Sequence, residues 1–448
     1  MANDVSASAV SKSAAGKRAP RERARPPFEC IALVLQGGGA LGAYQAGVYA
    51  ALAEAGLHPD WTAGISIGAI NAAIIAGNAP TERVGKLRQF WELVTAPYPQ
   101  SPGAARTADA PPATKTADAK GSAKTAAALG ANGGNGSGHL DFARLFAPWG
   151  EFGDFTSLLK GDFARGLLNQ WSAGRALFAG APGFFAPRPF TPWLSPEGSI
   201  EATSYYDTRP LKVTLERLVD FDRINRDDMR LSVGTVNVRT GNFVYFDNTT
   251  HRIGPEHVMA SGALPPGFPA VEIDGEHYWD GGLISNTPLR WIVERRPQRD
   301  TLVFQVDLWS SRGQFPGNMA RVATRQKEIQ YSSRTRAASD RFREMQCVRS
   351  AIAQLLEKLP TELSETPEAQ LLRRYSERKV WNLIQLIYRS KEYEGDSKDY
   401  EFSRQSMEDH WRAGYHDTVR TLRHPEVLER PQNREGVFIF DIAEDGRE

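Results

Sequence analysis

The stretch WTAGISIGAINAAIIAG, residues 61–77, decides the fold. Its opening, WTAGIS, reads as a short buried strand, and IGAINAAIIAG reads as a helix so apolar that other elements must cover most of it. Ser66 stands at the turn between them, flanked by Gly64 and Gly68, whose small size gives the turn room. A strand that passes through a serine straight into a helix is how an α/β enzyme presents a nucleophilic hydroxyl. The helix also points its N-terminus at Ser66, which favours negative charge developing there. A serine hydroxyl is a poor nucleophile until a base takes its proton, so a base has to be found elsewhere in the chain.

Upstream, the apolar run IALVLQ (31–36) ends in Gly37-Gly38-Gly39, as a buried strand leading into a turn does. In LGAYQAGVYAALAEAG, Leu41, Tyr44, Val48, Ala51 and Leu52 recur at helical spacing, and Gly56 sits where a C-terminal cap belongs. Gly37, Gly39 and Gly42 match GxGxxG between that strand and that helix. Two chemistries use such a loop: backbone amides can hold the pyrophosphate of a dinucleotide, or the negative oxygen of a tetrahedral intermediate. No Gly-Lys-Ser/Thr follows at P-loop distance. A dinucleotide fold ends its second strand on an acidic residue that binds ribose. Here the second strand leads instead into Gly64-Ile65-Ser66-Ile67-Gly68, and the pair of motifs favours an oxyanion loop beside a nucleophile elbow.

The usual partner of such a serine is a histidine. The eight histidines are His58, His139, His251, His257, His277, His410, His416 and His424. His410, His416 and His424 lie on a charged helix and its end and are expected at the surface. His277 lies in EHYWDGG, which reads as a strand; side chains alternate along a strand, so His277 points away from whatever Asp280 faces. Asp280 itself ends that strand and is followed by Gly281-Gly282. An aspartate before two glycines is also a common turn residue, but beside the two earlier motifs it becomes the candidate base.

The formal net charge is +1 over 448 residues, which provides no overall field for nucleic acid, and no nucleic-acid partner is expected. No apolar run reaches the length of a transmembrane helix. Cys30 and Cys347 match neither a disulfide framework nor a zinc site, so a reducing compartment, the cytoplasm, is expected. Residues 1–27 form a polar tail with an excess of Lys and Arg, expected to be disordered and suited to touch anionic lipid. From residue 95 to 200 the chain carries an insertion. Its 100–138 portion is rich in Ala, Gly, Pro, Ser and Thr and is expected to be disordered. Its 140–194 portion is studded with aromatics, including Phe142, Phe146, Trp149, Phe152, Phe155, Phe184 and Phe185, and reads as a cap, a lid or a membrane-facing surface. LKVTLERLVD then reads as an amphipathic helix, and hairpins are expected to turn at Thr240-Gly241 and Asp274-Gly275. TPLRWIVERR reads as a helix with Pro288 in its first turn, and TLVFQVDLW (301–309) as a late buried strand. Residues 311–448 read as a mostly helical, highly charged region. Met407, Trp411, Tyr415, Val419 and Leu422 form a stripe there that suits core contact.

The three motifs together resemble the patatin-like phospholipases. Gly37-Gly38-Gly39-Ala40-Leu41-Gly42 is similar to that family's oxyanion loop, Gly64-Ile65-Ser66-Ile67-Gly68 to its nucleophile elbow, and Asp280-Gly281-Gly282 to its aspartate–glycine motif. The stretch 260–289 is similar over most of its length. The resemblance covers roughly residues 28–310, the expected hydrolase domain. It implies a three-layer α/β/α core with a mainly parallel sheet, and hydrolysis of lipid acyl esters through an acyl-enzyme without metal or other cofactor. Ser66 is then the nucleophile, Asp280 the base, and Gly37, Gly38 and Gly39 the oxyanion hole. Leu41 departs from the basic residue many members carry there. The implied partner is a lipid ester, of phospholipase A or lysophospholipase type, with peripheral membrane contact as an option. The alternatives are a catalytically weak lipid-binding or scaffolding protein on the same fold, or an esterase of a storage polyester. A free carboxylate is a weak base toward serine, so burial of Asp280 is expected to raise its proton affinity.

Overall fold

Alternation along the first strand builds a three-layer molecule. In β1 (Cys30–Leu35) every residue is buried. Ile31, Leu33 and Leu35 enter one apolar core, with α1 (Ala43–Glu54), α2 (Ile67–Ala76) and α3 (Arg83–Val94). Cys30, Ala32 and Val34 enter the other, with Leu289, Ile292 and Val293 of helix Leu289–Glu294 and Phe342 of helix Thr335–Glu357. A strand buried on both faces needs helices on both sides of its sheet. The computed structural model describes residues 25–97, 162–295, 298–332, 335–376, 378–391 and 394–442. The basic tail to residue 24 and the low-complexity stretch, with Phe142, Phe146, Trp149, Phe152 and Phe155, lie outside the described residues.

The remaining strands are β2 (Trp61–Ile65), β3 (Ala186–Pro187), β4 (Tyr206–Asp207), β5 (Arg230–Asn237), β6 (Phe243–Asp247), β7 (Val271–Ile273), β8 (Glu276–Asp280), β9 (Thr301–Asp307), β10 (Trp381–Ile387) and β11 (Val437–Phe440). β3 and β4 pair by themselves. The others form a nine-stranded sheet in the order β11-β10-β9-β1-β2-β5-β8-β7, with β6 on β5. β11 through β5 run parallel along this order, whereas β6, β7 and β8 are antiparallel additions. The two hairpins turn where expected: Gly241, Asp274 and Gly275 all have positive φ. α2 is buried at every one of its ten residues, as its composition demands.

The region after Ser310 is mostly helical and also supplies β10 and β11, two strands absent from the sequence reading. WNLIQLI, residues 381–387, is a short apolar run in charged surroundings, and it pairs in parallel with β9. Helix Arg404–Thr421 crosses α1 at close range. A Cβ on Gly47 would collide with the Trp411 carbonyl, and one on Gly414 with the Tyr44 carbonyl. Only glycine lets the two backbones approach so closely. The buried face of this helix is Met407, His410, Gly414, Thr418 and Thr421, with Trp411 and Tyr415 at its margins. His410 is therefore not a surface residue. It is 2% exposed, its ring meets Tyr388 edge-on, and its Nε2 lies 3.6 Å from Glu394. Among the described residues no helix is long and apolar enough to cross a membrane.

Candidate active site

Sheet register brings Ser66 and Asp280 together. β2 runs parallel to β5 and ends with Ile65 opposite Gly234. β8 runs the other way and ends with Asp280 opposite Thr235, the next residue along. β6 occupies the other edge of β5 at these positions. β2 and β8 therefore share one edge and meet end to end, and the residue after Ile65 is Ser66.

Ser66 has φ 56° and ψ −125°, a strained conformation for a residue with a Cβ. It caps α2 and stays partly exposed although its neighbours are buried. Its backbone N–H is donated to the Ser261 hydroxyl at 2.9 Å, and that hydroxyl donates to the Gly234 carbonyl at 2.7 Å. Gly64 and Gly68 lie so close that a Cβ on Gly64 would collide with the Gly68 carbonyl. A Cβ on Gly281 would crowd the Gly234 carbonyl, so this glycine lets β8 end tight against β5.

Asp280 is 2% exposed. Its Oδ1 accepts the Gly282 N–H at 2.7 Å, and the Ser66 hydroxyl lies close enough to favour its ionised form. Burial pushes the Asp280 carboxyl up to about 7, against the Ser66 hydroxyl and the Gly282 N–H, which favour the ionised form. A carboxyl tuned to that range exchanges a proton readily near neutral pH.

The glycine loop is more selective than its sequence. The Gly37 N–H is donated to the Asn286 carbonyl at 3.2 Å and the Ala40 N–H to the Asp399 carbonyl at 2.7 Å. Of the three donors expected from the sequence, Gly37 is thus already engaged and buried. Among the described residues the N–H groups of Gly38 and Gly39 have no acceptor, and both residues are partly exposed. Gly37 instead helps to hold the loop: its carbonyl accepts from Asn286 Nδ2 at 2.9 Å and from Trp309 Nε1 at 3.1 Å. Behind the loop a buried chain of hydrogen bonds runs from Trp91 Nε1 to Asn71 Oδ1 (3.1 Å), Asn71 Nδ2 to Gln45 Oε1 (2.9 Å) and Gln45 Nε2 to the Gln36 carbonyl (2.6 Å). Asn71 Nδ2 also donates to the Gly42 carbonyl. Ser261, Asn286, Trp309 and Asp399 were not singled out by the sequence. Gln36 and Asn71, polar residues inside apolar segments, carried the only local signal.

A cavity of about 300 Å³ opens from Ser66, Asp280, Gly38 and Gly39. Its apolar wall includes Ile67, Ile70, Phe184, Phe185, Phe268 and Phe402. Among the described residues none of its lining is histidine, and His277 is exposed on β8. Phe184 and Phe185 are 6% and 5% exposed, so they form the inner wall and not a membrane-facing surface. Among the described residues of the same region, the exposed rings are Trp171, Phe178, Phe190 and Trp193.

A family model described as patatin-like phospholipase matches residues 33–290, and a second, described as patatin phospholipase, matches residues 329–434. Among solved structures, VipD from Legionella pneumophila is similar at 13% identity and a TM-score of 0.36, over 96% of this chain and 77% of that one. No curated protein matches the chain. With the first model spanning more than half of its length, the chain belongs to the patatin-like phospholipase family, whose chemistry is the hydrolysis of lipid acyl esters.

Proposed function

We propose that this protein is a serine acyl hydrolase of phospholipase A or lysophospholipase type, working through a Ser66–Asp280 dyad and an acyl-enzyme. The observation that carries the proposal is the end-to-end meeting of β2 and β8, which sets a buried carboxyl of raised proton affinity against the elbow serine. As Ser66 Oγ bonds to the ester carbonyl carbon, its proton passes to Asp280. The carbonyl oxygen becomes an anion facing the N–H groups of Gly38 and Gly39. Collapse breaks the C–O bond to the alcohol, which leaves with the proton from Asp280. Water then gives its proton to Asp280 and attacks the acyl-serine; the Oγ–C bond breaks, Asp280 returns the proton to Ser66 Oγ, and the fatty acid is released.

The apolar cavity suits one acyl chain and lies at the small end of the range for ligand sites. A lipid surface concentrates such a substrate at the cavity mouth. The test is turnover of a nitrophenyl butyrate by Ser66→Ala and Asp280→Asn, with fluorophosphonate labelling of Ser66 in wild type. Loss of turnover in both folded variants is expected. Wild-type turnover in either one would end the dyad assignment.

A further inference from the structure

Resting on the reading of Ser66, Gly38 and Gly39 above, we propose that residues 394–402 of the C-terminal region clamp the oxyanion loop and that Lys327 is the positioning residue that closes the clamp.

The loop turns at Gly39, whose φ is 54°. A Cβ there would collide with the Asp399 carbonyl, the same oxygen that accepts the Ala40 N–H at 2.7 Å. The turn that presents the two unengaged amides is thus closed from outside by a residue distant in the chain. Asp399 is itself held. Lys327 Nζ donates to its carboxylate oxygens at 2.9 and 3.2 Å and to the Asp396 carbonyl at 2.8 Å. The preceding residue, Lys398, is 4% exposed and donates to Glu328 Oε1 at 2.7 Å and Ser390 Oγ at 2.8 Å.

Lys327 and Glu328 are neighbours on helix Met319–Tyr331. The carbonyl of Tyr331, at the end of that helix, accepts from Asn286 Nδ2 at 2.8 Å and Gln36 Nε2 at 3.2 Å. One helix therefore grips the loop at its start, through Gln36 and Asn286, and at its turn, through Asp399. At the head of the clamp, Glu394 accepts the Tyr388 hydroxyl at 2.7 and 2.8 Å and faces His410. At its tail, Tyr400 and Phe402 enter the cavity wall beside Ser66.

Partly buried ion pairs add little net stability but fix geometry, and removing one partner strands the other. Burial already lifts the Asp399 carboxyl above its ordinary value despite Lys327, so without the lysine it can take up a proton, and the chain can keep its fold while losing the orientation.

The test uses the full chain and the variants Lys327→Met, Lys327→Arg and Asp399→Asn. Amide hydrogen exchange at Ala40 reads the clamp directly, with β9 as internal reference. In Lys327→Met it is expected to rise ~10-fold or more while β9 is unchanged. On nitrophenyl butyrate, kcat is expected to fall ~10-fold or more with KM within about twofold, because the interaction acts on the transition state. Lys327→Arg restores both. If Lys327→Met does not fold, Asp399→Asn breaks the same pair with a near-isosteric neutral side chain. Unchanged Ala40 exchange in a folded variant overturns the clamp, and raised exchange with unchanged kcat overturns its role in positioning. Absence of Ser66-dependent turnover in wild type would instead sink the proposed function, and Ala40 exchange would still decide the clamp.

Discussion

The hydroxyl of Ser261 accepts the backbone N–H of Ser66 at 2.9 Å and donates its own hydrogen bond to the Gly234 carbonyl at 2.7 Å. One buried side chain thereby ties the strained elbow to β5, the strand along which Ser66 and Asp280 meet. Ser261→Ala removes both hydrogen bonds, which costs roughly 1–3 kcal/mol. Urea unfolding should show that loss. Steady-state kinetics should show a lower kcat with KM nearly unchanged, since the nucleophile and not the acyl pocket is released. Equal kcat in a folded variant would mean that the elbow holds its own shape.

The raised proton affinity of Asp280 predicts a pH profile. The base must be ionised, so kcat/KM should rise with an apparent pKa near 7 and level off above it. A profile already flat from pH 5 upward would contradict a buried carboxyl base.

The same shift bears on stability, with the opposite benefit. Below the group's ordinary value of 3.8 the carboxyl is protonated in folded and unfolded chains alike. As pH rises through about 7 the folded chain must ionise a desolvated group, and the stability that protonation provided is lost. Asp280→Asn should therefore match wild type near pH 4 and exceed it at pH 8, by about 4 kcal/mol at most. Thermal melts at the two pH values check this. An inactive variant that is also more stable at pH 8 is the expected signature.

Gly47 lies inside α1, where alanine ordinarily gains about 1 kcal/mol. Here a methyl group would press on the Trp411 carbonyl, so Gly47→Ala should destabilise by about 1–3 kcal/mol instead. Denaturant midpoints for Gly47→Ala beside Gly85→Ala make the comparison, since Gly85, in α3, has open space around it.

Phe185 packs its ring 5.0 Å from Tyr206 and 5.2 Å from Phe268 in the wall of the cavity beside Ser66. Phe185→Ala should cost roughly 3–5 kcal/mol and enlarge the cavity. The measurable consequence is a shift of relative kcat/KM from butyryl toward longer acyl esters, with vesicle binding unchanged. A loss of vesicle binding without a change in chain preference would place this ring at a membrane surface after all.

Local pattern was enough for much of the fold. The continuous apolar run of β1, the strongly apolar α2 and the glycines around Ser66 are consequences of neighbours a few residues apart, so they were legible one segment at a time. β10 was not, because a seven-residue stretch with five apolar side chains in a charged region looks like an isolated patch until β9 lies beside it. His410 looked exposed because its sequence neighbours are charged, yet the helix turns that residue toward Tyr388 and Glu394.

Residue order alone specified a strand–serine–helix elbow, a glycine loop before it and an aspartate at a strand end after it. Only the tertiary structure decided which amides of the loop stay unengaged, how strongly Asp280 holds a proton, and that the C-terminal region closes over Gly39. The reason is physical. Hydrogen-bond satisfaction and desolvation are set by whatever stands opposite a group in space, and for Gly37, Asp280 and Ala40 those partners or walls come from Asn286, Ser66 and Asp399, which no local pattern could bring near.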